Sequence, residues 1–184
     1  ARTRAFRGTL HLIFQPAEEL GAGALRMIEA GLFDRYPVDA VFALHNWPGL
    51  PEGQFGFVPG PAMAAIDKVN LVVRGKGGHG AAPHETIDPV VAAAHAIAAL
   101  QSVVSRNVDP LEPAVVTVGA INGGEASNVI PDAVDLKLTL RSFSPEVRNL
   151  LETRVPAILR GVIESFGAKA ELSYTRGFPA VINH

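Results

Sequence analysis

The sequence predicts an α/β segment followed by a smaller α+β domain, and three observations carry that reading. Two alternating or apolar runs, at 8–14 and 38–45, flank a short helical pattern, as in a βαβ unit. A Pro/Gly-rich stretch, Val58-Pro59-Gly60-Pro61, then marks a boundary or hinge. Beyond it the elements follow as β-α-β-β-α-β, the signature of a ferredoxin-like sandwich with two helices on one face of a four-stranded sheet. The expected division is residues 1–61, 62–177, and a tail 178–184.

Residues 8–14 run into Gln15-Pro16-Ala17-Glu18-Glu19, so a buried strand is expected to end on two adjacent carboxylates. The carboxyl edge of an open α/β sheet is where ligands bind. There one carboxylate can hold a divalent cation while the other takes a proton from water. Equally, Glu18 and Glu19 can open the next helix, where negative charge is favoured. That helix is expected over 24–30, stopped by Gly31. A second buried strand, 38–45, ends on His45, and a βαβ unit would set Glu18, Glu19 and His45 at one edge of a parallel pair. A short strand is expected at 53–58.

In the second part, 66–74 alternates as a strand, and Asp88-Pro89 makes an N-cap and first turn for a helix running to about Arg106. Strands follow at 114–121 and 133–143. Ser144 caps a long helix with Val147, Leu151, Val155, Leu159 and Ile163 on its apolar face, and Gly167 ends it. Pro156 lies inside that helix and is expected to kink it. A last strand, 168–175, closes the pattern.

Composition removes several classes of function. With 16 basic and 18 acidic residues, a formal charge of -2 and no Lys/Arg run, no nucleic acid is expected as a partner. The apolar stretch 90–100 is Ala-rich, interrupted by His95 and too short to span a bilayer, so no membrane is expected either. Arg2, Arg4 and Arg7 are not followed at once by an apolar stretch, as a signal peptide requires. Cysteine is absent, which leaves His, Asp and Glu as candidate metal ligands. A cytoplasmic location is the default. The abrupt start near a strand and the stop at Ile182-Asn183-His184 give the expectation of a piece of a longer protein.

The stretch Gly75-Lys76-Gly77-Gly78-His79-Gly80 invites a phosphate-loop reading but lacks the GxxxxGK[ST] spacing. Its His79 either donates a hydrogen bond to a developing oxyanion or is an exposed histidine on a flexible loop. Asn128 sits in a turn, where asparagine is common for conformational reasons. Arg141, late in its strand, can bind a carboxylate bidentately or stand as a solvated strand residue. His11, His95 and His184 read as structural or incidental; His84 lies near His79 and could act with it, though the intervening Pro83 points to shaping the loop as its main role.

Taken in order, Phe14-Gln15-Pro16-Ala17-Glu18-Glu19, Leu44-His45-Asn46-Trp47-Pro48-Gly49, Gly75-Lys76-Gly77-Gly78-His79-Gly80, Ser105-Arg106-Asn107-Val108-Asp109-Pro110 and Asn128-Val129-Ile130-Pro131-Asp132 resemble one family. It is the N-acyl-amino-acid amidohydrolases, the hippurate hydrolase, aminoacylase and indole-acetyl-amino-acid hydrolase group of co-catalytic metallopeptidases. The resemblance covers practically the whole chain. It implies a zinc-peptidase-like α/β catalytic domain interrupted by a ferredoxin-like lid that dimerises, and two divalent ions, Zn, Mn, Co or Ni.

By the same resemblance Glu18 is the general base, Glu19 and His45 are metal ligands, and His79 stabilises the tetrahedral intermediate in a partner's site. Asn128 and Arg141 contact the substrate, an N-acyl or N-aroyl amino acid. The family's upstream Cys/His ligand pair and downstream histidine ligand have no counterpart in this sequence. The chain alone is therefore expected to be an inactive fragment that binds metal poorly. The competing expectation is a non-catalytic dimerisation or ligand-binding module.

Overall fold

In the computed structural model, which describes residues 5–19, 21 and 23–184, the chain divides into two units, Ala1–Gly56 and Phe57–His184. Arg2 and Arg4, used above, lie outside the described residues. The first unit holds two short helices, α1 (Gly23–Glu29) and α2 (Leu32–Arg35). They part at Gly31, whose φ of 83° is a left-handed value that glycine adopts without strain.

The strands expected at 8–14, 38–45 and 53–58 are not formed, and no described residue of this unit lies in a strand. Their apolar side chains stand in solvent, with Phe14 86%, Phe42 92% and Leu44 84% exposed. The reason is physical: a strand needs a neighbour to pair its N–H and C=O groups, and these segments find none among the described residues. Apolar patterning reports that a segment wants cover. It does not say what covers it. With the parallel pair goes the expected shared sheet edge for Glu18, Glu19 and His45.

The second unit contains β1 (Gly60–Met63), β2 (Ala65–Arg74), β3 (Gly78–His79), α3 (Pro89–Leu100), α4 (Ser102–Asn107), β4 (Ala114–Asn122), β5 (Val129–Ile130), β6 (Ala133–Ser142), α5 (Pro145–Ser165), β7 (Lys169–Arg176) and β8 (Val181–Asn183). Four of the strands lie side by side as β4-β6-β2-β7, every neighbouring pair antiparallel. Alternation along β2 and β6 sends Val69, Leu71, Val73, Leu136, Leu138 and Leu140 into one core with residues of α3 and α5. On α3 the contact residues Ala92, Ala93 and Ala96 are small, which lets the helix approach its neighbours closely.

Local chemistry sets the helix ends. Asp88 Oδ1 accepts from the amides of Val90 at 2.8 Å and Val91 at 3.3 Å, and Ser144 Oγ accepts from Val147 at 3.3 Å. The helix expected to run unbroken to Arg106 is divided at Gln101. There the Ser102 hydroxyl donates to the Ala99 carbonyl at 2.7 Å and that of Ser105 to Gln101 at 3.1 Å, in competition with the helical ladder.

α5 runs on through Pro156, which is itself buried. Its packing compensates for the amide that proline cannot offer to the Glu152 carbonyl. Leu159, fully buried on the same helix, is expected to be a strong anchor of this core. Leu159→Ala should lower the unfolding free energy by about 2–5 kcal/mol, read as a shifted urea midpoint. A loss under about 1 kcal/mol would mean the site collapses around the smaller side chain.

The first and last strands of this unit are paired. β1 runs antiparallel to β8, with Gly60 opposite Asn183 and Pro61 opposite Ile182. The Asn183 side-chain amide also donates to the Val58 carbonyl at 2.8 Å.

Candidate functional site

The Gly-rich stretch after β2 is built for close contact. A Cβ on Gly75 would lie 2.0 Å from the Ile87 carbonyl oxygen, and one on Gly77 would lie 2.7 Å from that of Ile130. The amides of this stretch are already engaged: Gly75 N donates to Asp132 O at 2.8 Å, Lys76 N to Ile87 O at 2.9 Å, and Gly80 N to Asn128 O at 2.8 Å. Gly77 N donates to the Asp132 carboxylate at 2.8 Å. These donors are unavailable to a phosphate, and a stretch so tied is not a flexible loop.

The consequence is that His79 and Asn128 are brought together. β3 pairs with β5, with Gly78 opposite Ile130 and His79 opposite Val129, the residue after Asn128. The His79 ring is exposed, and its Nδ1 accepts from the Ala81 amide at 3.1 Å. An accepting Nδ1 carries no proton, so the neutral ring carries it on Nε2 and presents an N–H outward.

His45 has the opposite arrangement. Its Nδ1 faces the Asn46 carbonyl oxygen at 2.6 Å and must donate, leaving the Nε2 lone pair free, as a metal ligand requires. Trp47 lies edge-on to the ring at 6.0 Å. Glu18 and Glu19 are exposed just after Ala17, whose φ of 50° is unusual for a residue with a side chain. Gly21 N donates back to the Glu18 carbonyl at 2.8 Å.

Arg141 lies on β6 opposite Ile66 of β2 and Val115 of β4. It is half-buried, in the alternate phase from Leu138 and Leu140 and so on the sheet face away from the core. The His11 ring lies tilted against Tyr36 at 5.3 Å, and that of His95 against Phe166 at 4.8 Å with its Nδ1–H donated to Val91 O at 3.0 Å.

A polar cluster not foreseen from the sequence sits in the second unit. Asp67 is 2% exposed on the core face of β2. Arg148 donates to both its oxygens, with a shortest contact of 2.6 Å, while Tyr174 Oη donates to Oδ2 at 2.8 Å and Gly177 N to Oδ1 at 3.1 Å. Arg148 also donates to the Gly177 carbonyl at 2.8 Å. Burial pushes the Asp67 carboxyl up, but the bonds from Arg148, Tyr174 and Gly177, with the Arg148 charge, outweigh it and hold the carboxyl below its usual range. For Tyr174, burial first and then the bond to Asp67 push the hydroxyl well above its usual value. The legible signal was Asp67 itself, a charged residue in the buried phase of an alternating strand.

Metal-capable side chains do not converge: among the described residues no three His, Cys, Asp or Glu are grouped so as to hold an ion. The His45 tautomer suits a ligand. As a set, however, Glu18, Glu19 and His45 do not form a metal site among the described residues. No described helix is long and apolar enough to cross a membrane.

The mixed helix-and-strand architecture is shared with a known class of hydrolase. Residues 1–184 match the model of peptidase family M20/M25/M40 throughout, and the chain belongs to that family. It is 45% identical over 179 residues to an N-acetyl-L-cysteine deacetylase of Bacillus subtilis, with 97% of this chain and 42% of the relative covered. Hippurate hydrolase of Campylobacter jejuni is 42% identical over 179 residues, with 97% and 47% covered. A solved Bacillus subtilis structure, described as a dinuclear metal binding peptidase from the M20 family, superposes with a TM-score of 0.70 at 35% identity, covering 93% of this chain and 42% of that one. The chain spans less than half the length of these relatives.

Proposed function

We propose that this chain is part of an amidohydrolase that cleaves the amide bond of N-acyl or N-aroyl amino acids. The observation that carries the reading is its 42–45% identity, along 97% of its length, to relatives named for that chemistry. Glu18 is the general base, and Glu19 and His45 are metal ligands for a pair of divalent ions, Zn, Mn, Co or Ni. Two such donors are fewer than a closed site needs, so further ligands come from beyond this chain.

His79 donates Nε2–H to the oxyanion, and the tautomer imposed by the Ala81 amide supports that role. Asn128, beside it, and Arg141 contact the substrate, Arg141 through the carboxylate. The second unit is the ferredoxin-like lid, through which a homodimer forms. Its β4 edge is unpaired among the described residues, with Val115 and Ile121 half-exposed on it. A cytoplasmic location completes the proposal, and cell fractionation checks it.

The test is hydrolysis of hippurate and N-acetyl amino acids by the complete protein, with divalent metal supplied or removed by a chelator. Metal-dependent release of the amino acid is expected. Glu18→Gln should lower kcat by about 10²–10⁴-fold, the usual contribution of a positioned acid-base group. Metal-independent turnover, or a Glu18→Gln variant as active as the parent, would sink the reading.

A further inference from the structure

We infer that Asp132 is a positioning residue that acts through His79. The inference rests on the role proposed for His79 and adds a residue to it. Asp132 holds the Gly-rich stretch at two points, its carboxylate accepting from Gly77 N at 2.8 Å and its backbone carbonyl from Gly75 N at 2.8 Å. Two residues beyond Gly77 is His79, and four before Asp132 is Asn128. Between these points lies only the two-residue β3–β5 ladder.

A ladder that short does not hold its own register, because it closes few hydrogen bonds against the entropy of ordering both segments. The Asp132 clamp supplies what it lacks, at the open end of the ladder. At the other end Gly80 N donates to Asn128 O at 2.8 Å and leaves the chain placed for Ala81 N to reach His79 Nδ1.

Gly77 is shaped to receive this contact. A Cβ there would meet the Asp132 carboxylate oxygen at 3.0 Å and the Asp132 amide at 3.2 Å. The acceptor is a side-chain carboxylate oxygen at 2.8 Å, well within hydrogen-bond range. Without it the backbone bonds of Gly75, Lys76 and Gly80 still hold the stretch, but Gly77, two residues from His79, loses its anchor, and a histidine displaced by about 1 Å loses on the order of 10²-fold in rate. Asp132 itself touches no reacting atom.

The experiment is kinetics on the complete protein with Asp132→Ala, Asp132→Asn, His79→Ala and the double variant His79→Ala/Asp132→Ala. Asp132→Ala is expected to lower kcat by about 10–100-fold with KM nearly unchanged. Asp132→Asn keeps an oxygen acceptor for Gly77 N and should recover most of the rate. In the double variant the Asp132 change should add nothing to the loss from His79→Ala, because residues that act as a unit are not additive.

A second measurement does not depend on turnover: ¹⁵N shifts of the His79 ring should report a single Nε2–H tautomer in the parent and Asp132→Asn, and a mixture in Asp132→Ala. Losses that multiply in the double variant, or a tautomer unmoved by Asp132→Ala, would overturn the inference. Full activity in His79→Ala would instead overturn the underlying role of His79, and the two failures are thereby told apart.

Discussion

Arg148→Ala is expected to lower the stability of the second unit by about 3–5 kcal/mol, the cost of leaving a buried charge without its partner. Asp67 is almost fully buried and relies on Arg148 for three of its contacts, and Arg148 is itself only 11% exposed. Truncation leaves the Tyr174 hydroxyl and the Gly177 amide as the remaining partners of a carboxylate that is 2% exposed in the fold. Replacing both charges, as in Asp67→Leu/Arg148→Met, should cost much less than Arg148→Ala alone, since apolar isosteres can fill such a site. A urea titration of all three proteins decides it. An Arg148→Ala loss under about 1 kcal/mol would place the pair with solvent-screened surface bridges instead.

The same cluster makes a pH prediction whose sign follows from its two titrating members. The Asp67 carboxyl is depressed in the fold, so its stabilisation is present above the unfolded value of about 3.9 and is lost as pH falls through the lower folded value. Tyr174 is raised, so its contribution is present below about 10 and is lost as pH rises through the higher folded value. Removing Arg148 takes away much of what depresses Asp67. Acid unfolding of Arg148→Ala should therefore begin at a higher pH than in the parent, as followed by circular dichroism.

His79→Ala in the complete protein is expected to reduce kcat by about 10²–10³-fold, the usual cost of deleting one oxyanion donor. KM should change little, because the bond strengthens only as the carbonyl oxygen gains charge. His79→Gln retains an N–H donor of different reach and should recover part of the loss. A deficit that appeared entirely in KM would assign His79 to ground-state binding and would remove it from the oxyanion role.

Much of the second unit was legible in the sequence. The strand at 66–74 is found at Ala65–Arg74, and the caps at Asp88 and Ser144 and the stop at Gly167 follow from residue types with one dominant conformational use. The first unit was not legible in the same way, since the strand signals at 8–14 and 38–45 specify an apolar ribbon without specifying its neighbour. Motif order identified the amidohydrolase group of metallopeptidases, and the family match along the whole chain agrees with it.

Pattern reading offered a flexible loop as one account of the Gly-rich stretch, and the backbone bonds along it replace that account. Its glycines look like mobility or phosphate binding, and they serve close backbone approach to Ile87, Ile130 and Asn128. Contacts between residues 55 apart, such as Gly77 with Asp132, leave no trace in local periodicity.

The β1–β8 pair sets how this protein can be cut and rejoined. Both ends of the second unit lie one strand spacing apart, about 5 Å, because they are partners in the same ladder. A unit bounded in this way can be seated in a hairpin of a host chain without long linkers. Circular permutation through a β1–β8 turn should likewise leave the four-stranded sheet unaltered, with new termini opened on a surface loop.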